Sequence, residues 1–341
     1  MNQEMKKQIF ALIDEFASLE KDDIRREWVN QMIDACLKMA SEGHDSGQIK
    51  LATYALKEMR YAYQVFNRYQ GIRKVSIYGS ARTPEDHPDY TAAVEFGKQM
   101  AQANWMSITG AGDGIMKAGH EGPQKKASFG LAIRLPFETT ANAIIEGDPK
   151  LINFRYFFTR KLMFMTHSDA VVACPGGFGT QDELFEALTL VQTGKSNIIP
   201  IVMIAGEGND YWLNWEKHVQ KDLLGQKMIS PEDESLFHVA SSPTDAVEHI
   251  LQFYKNYHSS RYVRSDLVIR VQKPLTDESI EKLNDSFGDI LREGKITQGT
   301  ALKQEEDHLD LPRIIVPHTR RSYGRIRQLI DSINLCDTCS S

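Results

Sequence analysis

Apolar residues recur at steps of three and four near the start of the chain: Ile24, Trp28, Met32, Cys36 and Met39, then Ala52, Leu56, Met59, Tyr63 and Phe66. That spacing lines one face of an α-helix. The segment Gly43-His44-Asp45-Ser46-Gly47 reads as the turn between two such helices. Residues 1–70 are therefore expected to form a helical extension, a cap or dimerisation arm that demands no chemistry. From about residue 71 the pattern changes. Short apolar runs at 75–78, 105–109, 129–135, 170–174, 198–204 and 236–240 read as strands. Helical patterns lie between most of them, at 90–103, 156–167, 180–192, 210–224 and 243–256. Strands alternating with helices predict an α/β fold, a Rossmann-like doubly wound parallel sheet over 71–258. Ligands in such folds bind at the carboxyl ends of strands. The remainder, 259–341, is expected to be a small α/β appendage, with strands near 266–271 and 313–316 and helices near 276–292 and 322–334.

Composition narrows the classes. The 341 residues are 41% hydrophobic and 25% charged, an ordinary globular balance, and the net charge of -6 argues against a protein that coats nucleic acid or membranes. No apolar run approaches the roughly 20 residues of a bilayer span, and the N-terminus lacks a signal-peptide core, so a cytoplasmic protein is expected. Four cysteines suit a reducing compartment. Cys336 and Cys339 form a terminal CxxC without a second ligand pair, and the ten histidines show no HxxxH spacing, so no metal is expected. No lysine stands out as a Schiff-base site, and no cofactor is implied.

The strongest chemical signal is the run Asp169-Ala170-Val171-Val172-Ala173-Cys174 followed by Pro175-Gly176-Gly177-Phe178-Gly179-Thr180-Gln181-Asp182-Glu183. A buried strand, a glycine-rich turn and a helix start make a phosphate cradle, because glycines let an anion approach free N–H groups at the helix's positive end. Thr180 can add a hydroxyl. Thr180 and Glu183 also fit a capping box, in which each side chain satisfies the other's backbone donor, and that reading stands beside a catalytic one. Glu186, one turn on, fits a solvated carboxylate equally well. Gly79-Ser80 and Gly110-Ala111-Gly112-Asp113-Gly114 are weaker glycine turns at two other strand ends. Ile115 replaces the last glycine of a GxGxxG, which disfavours a dinucleotide. Gly194-Lys195-Ser196 lacks the first glycine of a P-loop and reads as a helix terminus. Arg160-Lys161, on the helix before the strand, suits either phosphate or a plain basic surface.

Arg160-Lys161 followed fifteen residues later by Pro175-Gly176-Gly177-x-Gly179-Thr180-x-x-Glu183 resembles the signature of the Lonely Guy (LOG) phosphoribohydrolases, relatives of which were long labelled lysine decarboxylases. The resemblance covers about 71–258, and the additions at both ends are similar to those of longer bacterial members. It implies hydrolysis of the N-glycosidic bond of nucleoside 5′-monophosphates, cytokinin ribotides among the candidates, to free base and ribose 5-phosphate. It also implies a homodimer or larger assembly. By the same resemblance Gly176, Gly177, Gly179 and Thr180 would hold phosphate. Glu183 and Arg160 would be catalytic; a place in the first helical turn favours the ionised form of Glu183, while the neighbouring phosphate opposes it, and the sequence does not decide between them. Gly79, Ser80, Gly110, Gly112, Gly114, Lys161 and Glu186 would attend the nucleotide. The rival reading is a non-catalytic nucleotide sensor or carrier, which would have no need of a carboxylate beside phosphate. Separately, Arg313, Arg320, Arg321, Arg325 and Arg327 fall within fifteen residues that contain no acid. With Arg321 and Arg325 one helical turn apart, they suggest a regulatory anion or nucleotide site, or a solvated helix face.

Overall fold

The computed structural model describes residues 3–17, 23–134 and 141–339. Residues up to Glu58 form one compact unit and those from Met59 onward another. The first holds α1 (Gln3–Ala17), α2 (Ile24–Ser41) and most of α3 (Ser46–Phe66). Asp23 caps α2 by accepting from Arg25 N–H at 2.8 Å. No residue of α2 is buried, so its periodic apolar residues Ile24, Trp28 and Met32 stand in the open.

The second unit begins with the end of α3, where Phe66 stacks on Phe129 and on His167 at 4.6 and 3.9 Å. The chain then alternates as its pattern predicts. It runs β1 (Lys74–Tyr78), α4 (Pro88–Gln102), β2 (Met106–Thr109), α5 (Ile115–Glu121), β3 (Ser128–Ile133) and β4 (Leu151–Phe154). It continues through α6 (Phe157–His167), β5 (Ala170–Ala173), α7 (Phe178–Gln192), β6 (Ile201–Met203), α8 (Tyr211–His218), β7 (Phe237–Val239) and α9 (Pro243–Phe253). Residue 135, the expected end of β3, lies outside the described residues. β6 starts at Ile201 and not at 198, because Pro200 has no N–H to give a ladder; its carbonyl still accepts from Val171. The helix expected over 210–224 is α-helical only to His218 and then widens into a π-turn.

All pairings in this sheet are parallel, in the order β4-β3-β2-β1-β5-β6-β7. The order reverses between β1 and β5, which is the switch point where such sheets open a crevice. Helices cover both faces, so every residue of β1 is buried. Val75 and Ile77 enter one core cluster and Tyr78 the other.

A second, antiparallel sheet follows, ordered β10-β11-β9-β8: β8 (Tyr257–Val263), β9 (Asp266–Val271), β10 (Thr297–Gly299) and β11 (Arg313–Val316). α10 (Asp277–Phe287) precedes β10, and α11 (Tyr323–Leu335) follows β11. Leu267, Ile269, Ile314 and Ile330 share one core cluster with Val171, Ala173 and Leu184 of the parallel sheet's domain. The expected division at 258/259 therefore cuts no independent core. No helix among the described residues is long and apolar enough to cross a membrane.

Candidate active site

A cavity of about 1200 Å³ opens along the carboxyl edge of the parallel sheet, beside the switch point. Every residue expected at the nucleotide site lines it except Gly114, Lys161 and Glu186. Three turns make its floor, and they interlock. Ser80 N–H donates to Pro175 O at 3.1 Å, tying the turn after β1 to the turn after β5. Ile115 N–H donates to Ser80 O at 3.0 Å, tying in the turn after β2. Gly114 makes that second link: its φ is +60°, and a Cβ there would stand 2.3 Å from Ser80 O. Gly114 thus shapes the floor without touching the cavity. At Gly176 a Cβ would strike the Thr180 hydroxyl oxygen, so only glycine fits beneath it.

Behind the second turn sits a buried polar network. Asn142 donates from Nδ2 to the carbonyls of Ala111 and Gly112, both at 3.0 Å. Thr109 accepts from Ala111 N–H at 3.0 Å and meets His120 at 2.9 Å. Ala111 is held at φ +66°, an uncommon conformation for a residue with a side chain. Burial pushes the His120 imidazolium pKa down, so His120 serves this network as a neutral ring.

α7 begins at Phe178, with Gly177 as its N-cap and no side-chain cap. That register overturns the capping box: Thr180 is the third residue of the helix, and Glu183 lies beyond the first turn. Gln181 is the first residue to close a helical bond, to Gly177 O at 3.1 Å. The N–H groups before it are the ordinary unsatisfied donors of a helix start. Gly177, Phe178, Gly179 and Thr180 line the cavity at this helix start, a setting that suits an anion.

Glu183 faces Arg160 of α6, with 3.6 Å between Oε1 and Nη2, and its side chain is about one-tenth exposed (10%). Burial raises its carboxyl from the ordinary value of 4.5 to about 7, against the opposing pull of Arg160 and Lys161; Glu186 and Asp182 push the same way as burial. Burial thus decides the balance that the sequence leaves open, and Glu183 is poised near neutrality. Lys161 and Glu186 do not reach the cavity. Lys161 bridges Glu186 and Asp182 at 2.8 Å each, forming a charged buttress that holds α6 against α7 behind the Arg160–Glu183 pair.

Tyr211 joins this site from outside every motif, and Gln181, unassigned within the Pro175–Glu183 run, joins it too. Tyr211, at the start of α8, lines the cavity and donates to Gly176 O at 2.6 Å; Gln181 donates to the Tyr211 hydroxyl at 2.7 Å. No local pattern could have revealed a contact that spans 35 residues. At the rim Phe178 is 97% exposed and Phe157 is half-exposed. Among the described residues no cluster of histidine, cysteine or carboxylate side chains could hold a metal ion.

The parallel sheet thus sets a glycine-lined turn and a buried Arg–Glu pair beside its switch point, where ligands of such folds bind. Residues 111–250 match the family model described as "Possible lysine decarboxylase". It is 25% identical over 159 residues to a probable cytokinin riboside 5′-monophosphate phosphoribohydrolase of Oryza sativa subsp. japonica, covering 45% of this chain and 67% of that one. The corresponding figures are 28%, 51% and 78% for a cytokinin riboside 5′-monophosphate phosphoribohydrolase of Arabidopsis thaliana. A protein of the same name from Mycobacterium tuberculosis is 28% identical, covering 51% of this chain and 90% of its own. Among solved structures, the molybdenum cofactor binding protein of Rippkaea orientalis covers 53% of this chain and 97% of its own, with 21% identity and a TM-score of 0.38.

Proposed function

We propose that the protein hydrolyses the N-glycosidic bond of nucleoside 5′-monophosphates, releasing free base and ribose 5-phosphate. One observation carries the reading. Glu183 is a buried carboxylate inside the cavity, relieved of capping duty and raised to about 7. A protein that only bound phosphate would gain nothing from it.

The cavity's extent supports the substrate class. The cradle lies at the end of β5, while Ala132 and Ile133 at the end of β3 line the far side. With β1 and β2 between them, the two ends are three strand spacings apart, roughly 14 Å. That is comparable to the length of a nucleotide from phosphate to base. The helix start and Thr180 hold the 5′-phosphate, and binding energy there is remote from the bond that breaks. The Arg160–Glu183 pair lies between, with Arg160 beside Gly110 at the end of β2. Departure of the base leaves oxocarbenium character at the anomeric carbon, which the Glu183 carboxylate stabilises. Glu183 then takes a proton from the attacking water as its oxygen bonds to that carbon. The base leaves with the electron pair of the broken C–N bond and takes up a proton from solvent, and Glu183 returns its own to solvent, so that one water is consumed. A carboxylate near neutrality is suited to both tasks. Arg160 lowers the cost of ionising Glu183, and the Lys161 buttress keeps the two helices in register.

Incubation with AMP, GMP, CMP, UMP and a cytokinin ribotide, followed by chromatography for free base, tests the reading. Base release that vanishes in Glu183→Ala while nucleotide still binds is the expected result. Wild-type binding without release of any base would instead favour the sensor or carrier. We further propose a cytoplasmic homo-oligomer. The four cysteines are all free, and Ile24, Trp28 and Met32 offer an exposed apolar stripe on α2. Light scattering of wild type and Trp28→Glu checks the assembly.

A further inference from the structure

The contact between Tyr211 and the cradle has a chemical consequence. We propose that Tyr211 is a positioning residue for the substrate's phosphate, acting through the peptide between Gly176 and Gly177. The inference deepens the phosphate assignment made above and rests on it.

The peptide unit is planar and trans, so its carbonyl and its N–H point to opposite sides. Tyr211 holds Gly176 O on one side by donating to it at 2.6 Å. The Gly177 N–H is thereby turned the other way. Both glycines line the cavity, and no side chain at either position restrains the peptide against flipping. Without the phenol, a Gly–Gly peptide at a loop apex has little to choose between its two orientations. One of them presents a carbonyl oxygen to the anion in place of a donor.

Tyr211 is itself held in place. Its hydroxyl proton is committed to Gly176 O, so the partner at 2.7 Å must donate, which orients the Gln181 amide with its NH2 toward the phenol. Its backbone N–H donates to Asn209 Oδ1 at 3.0 Å, and Asn209 Nδ2 grips the buried Asp89 carboxylate at 3.1 and 2.9 Å. Asp89 also accepts from Gly206 N–H at 2.7 Å. The neighbouring Trp212 is buried, its indole donating to Ile204 O at 3.0 Å. A chain of hydrogen bonds thus runs from α4 through the start of α8 to one carbonyl of the cradle.

Tyr211→Phe removes the hydroxyl and little else. Calorimetry with ribose 5-phosphate and with inorganic phosphate reads the cradle without any turnover. One hydrogen-bond donor to a charged group is worth roughly 1–2 kcal/mol, so both Kd values should rise about 5- to 30-fold. KM for AMP should rise to a similar extent, with kcat held within about twofold. Gly177→Pro supplies the decisive comparison. It deletes the N–H at a φ of -84°, a few degrees beyond the range of the proline ring. If Tyr211 acts through that N–H, Gly177→Pro should weaken phosphate binding similarly, and adding Tyr211→Phe should cost nothing further.

Independent, additive losses in the double variant would overturn the proposal. So would Kd values for Tyr211→Phe within twofold of wild type, or a wild type that binds neither phosphate probe. A wild type that binds ribose 5-phosphate and releases no base from any nucleotide would defeat the proposed reaction and leave the Tyr211 assignment standing on the binding data.

Discussion

Two buried glutamates in this protein each face arginine, and they end up at opposite ends of the carboxylate range. Glu305, in the loop before β11, is fully enclosed. Arg270 meets its Oε1 with Nε and Nη2 at 3.1 and 2.9 Å, and Arg313 Nε and Leu302 N–H meet its Oε2 at 2.9 and 3.1 Å. Burial alone would raise its pKa, but the hydrogen bonds from Arg313, Leu302 and Arg270 overcome that and bring it down to about 2. Glu183 has one arginine at 3.6 Å, too long for a hydrogen bond, and burial wins. The difference is not the presence of a cation but the number of donors that reach the oxygens. A saturated carboxylate holds structure together. An under-donated one is left available for a proton, a water or a developing cation.

The comparison breaks most sharply on activity. Glu183→Gln keeps the shape and removes the basic oxygen, and base release should fall by about 10²–10⁴-fold, the range for a lost general base. Binding of ribose 5-phosphate should change little. Glu305→Gln should leave the turnover of folded enzyme within about twofold, because the triad lies outside the cavity. The pH profile gives a second view. Glu183 works ionised, so kcat/KM should fall about tenfold per pH unit below about 7. The acid limb of kcat should lie higher still, since bound phosphate opposes ionisation.

On stability the ranking reverses. Glu305→Ala strands two buried guanidiniums and should cost about 3–5 kcal/mol in urea unfolding. Glu183→Gln should stabilise. Its folded pKa is raised above the unfolded value, so the folded state holds the proton more tightly. The resulting loss of stability is absent below about pH 4.5, grows as pH rises and is complete above about 7. At pH 8 Glu183→Gln should be more stable than wild type by about 1–3 kcal/mol, and at pH 4 the two should unfold alike. Equal stability at both pH values would show that the carboxyl is not perturbed.

How much of this could be read from the sequence follows from which contacts are local. The parallel sheet was legible because each strand is a short apolar run between helical patterns, and the cradle because its glycines are contiguous. β4 was not anticipated: Leu151-Ile152-Asn153-Phe154 is short, and no glycine turn announces it. β8 was missed because its interior, His258-Ser259-Ser260-Arg261, reads as polar loop. The capping box failed by helix register alone, since α7 starts at Phe178 and leaves Thr180 too far inside to cap. The Glu305 triad was invisible for a different reason. Gln304-Glu305-Glu306-Asp307 looks like a solvated acidic run, while one partner lies on β9 and the other belongs to the arginine-rich run over 313–327.

Those terminal arginines supply the third and mildest case. The expected anion site needed Arg320, Arg321 and Arg325 to act together, and the structure disperses the group. Arg313 is enclosed with Glu305, and Arg327 is buried against Asp331 and His249. Arg320 donates to Arg264 O and lies over the Tyr262 ring at 4.4 Å. α11 begins only at Tyr323, so Arg321 and Arg325 are not one helical turn apart. Arg325 already holds a carboxylate, making two bonds to Asp289 at 3.0 and 2.7 Å, and the Arg325 hydrogen bond draws the Asp289 pKa down. This pair has the good geometry of Glu305 without its enclosure, because the Asp289 side chain is more than half exposed. Solvent screening limits such a pair to about 1 kcal/mol or less. Arg325→Ala should therefore lower stability by no more than that, and the loss should shrink in 0.5 M salt. Base release by Arg321→Ala/Arg325→Ala, with and without added inorganic phosphate, should match wild type. A phosphate response that disappears in this double variant would restore the regulatory reading and show that Asp289 yields its arginine to a stronger anion.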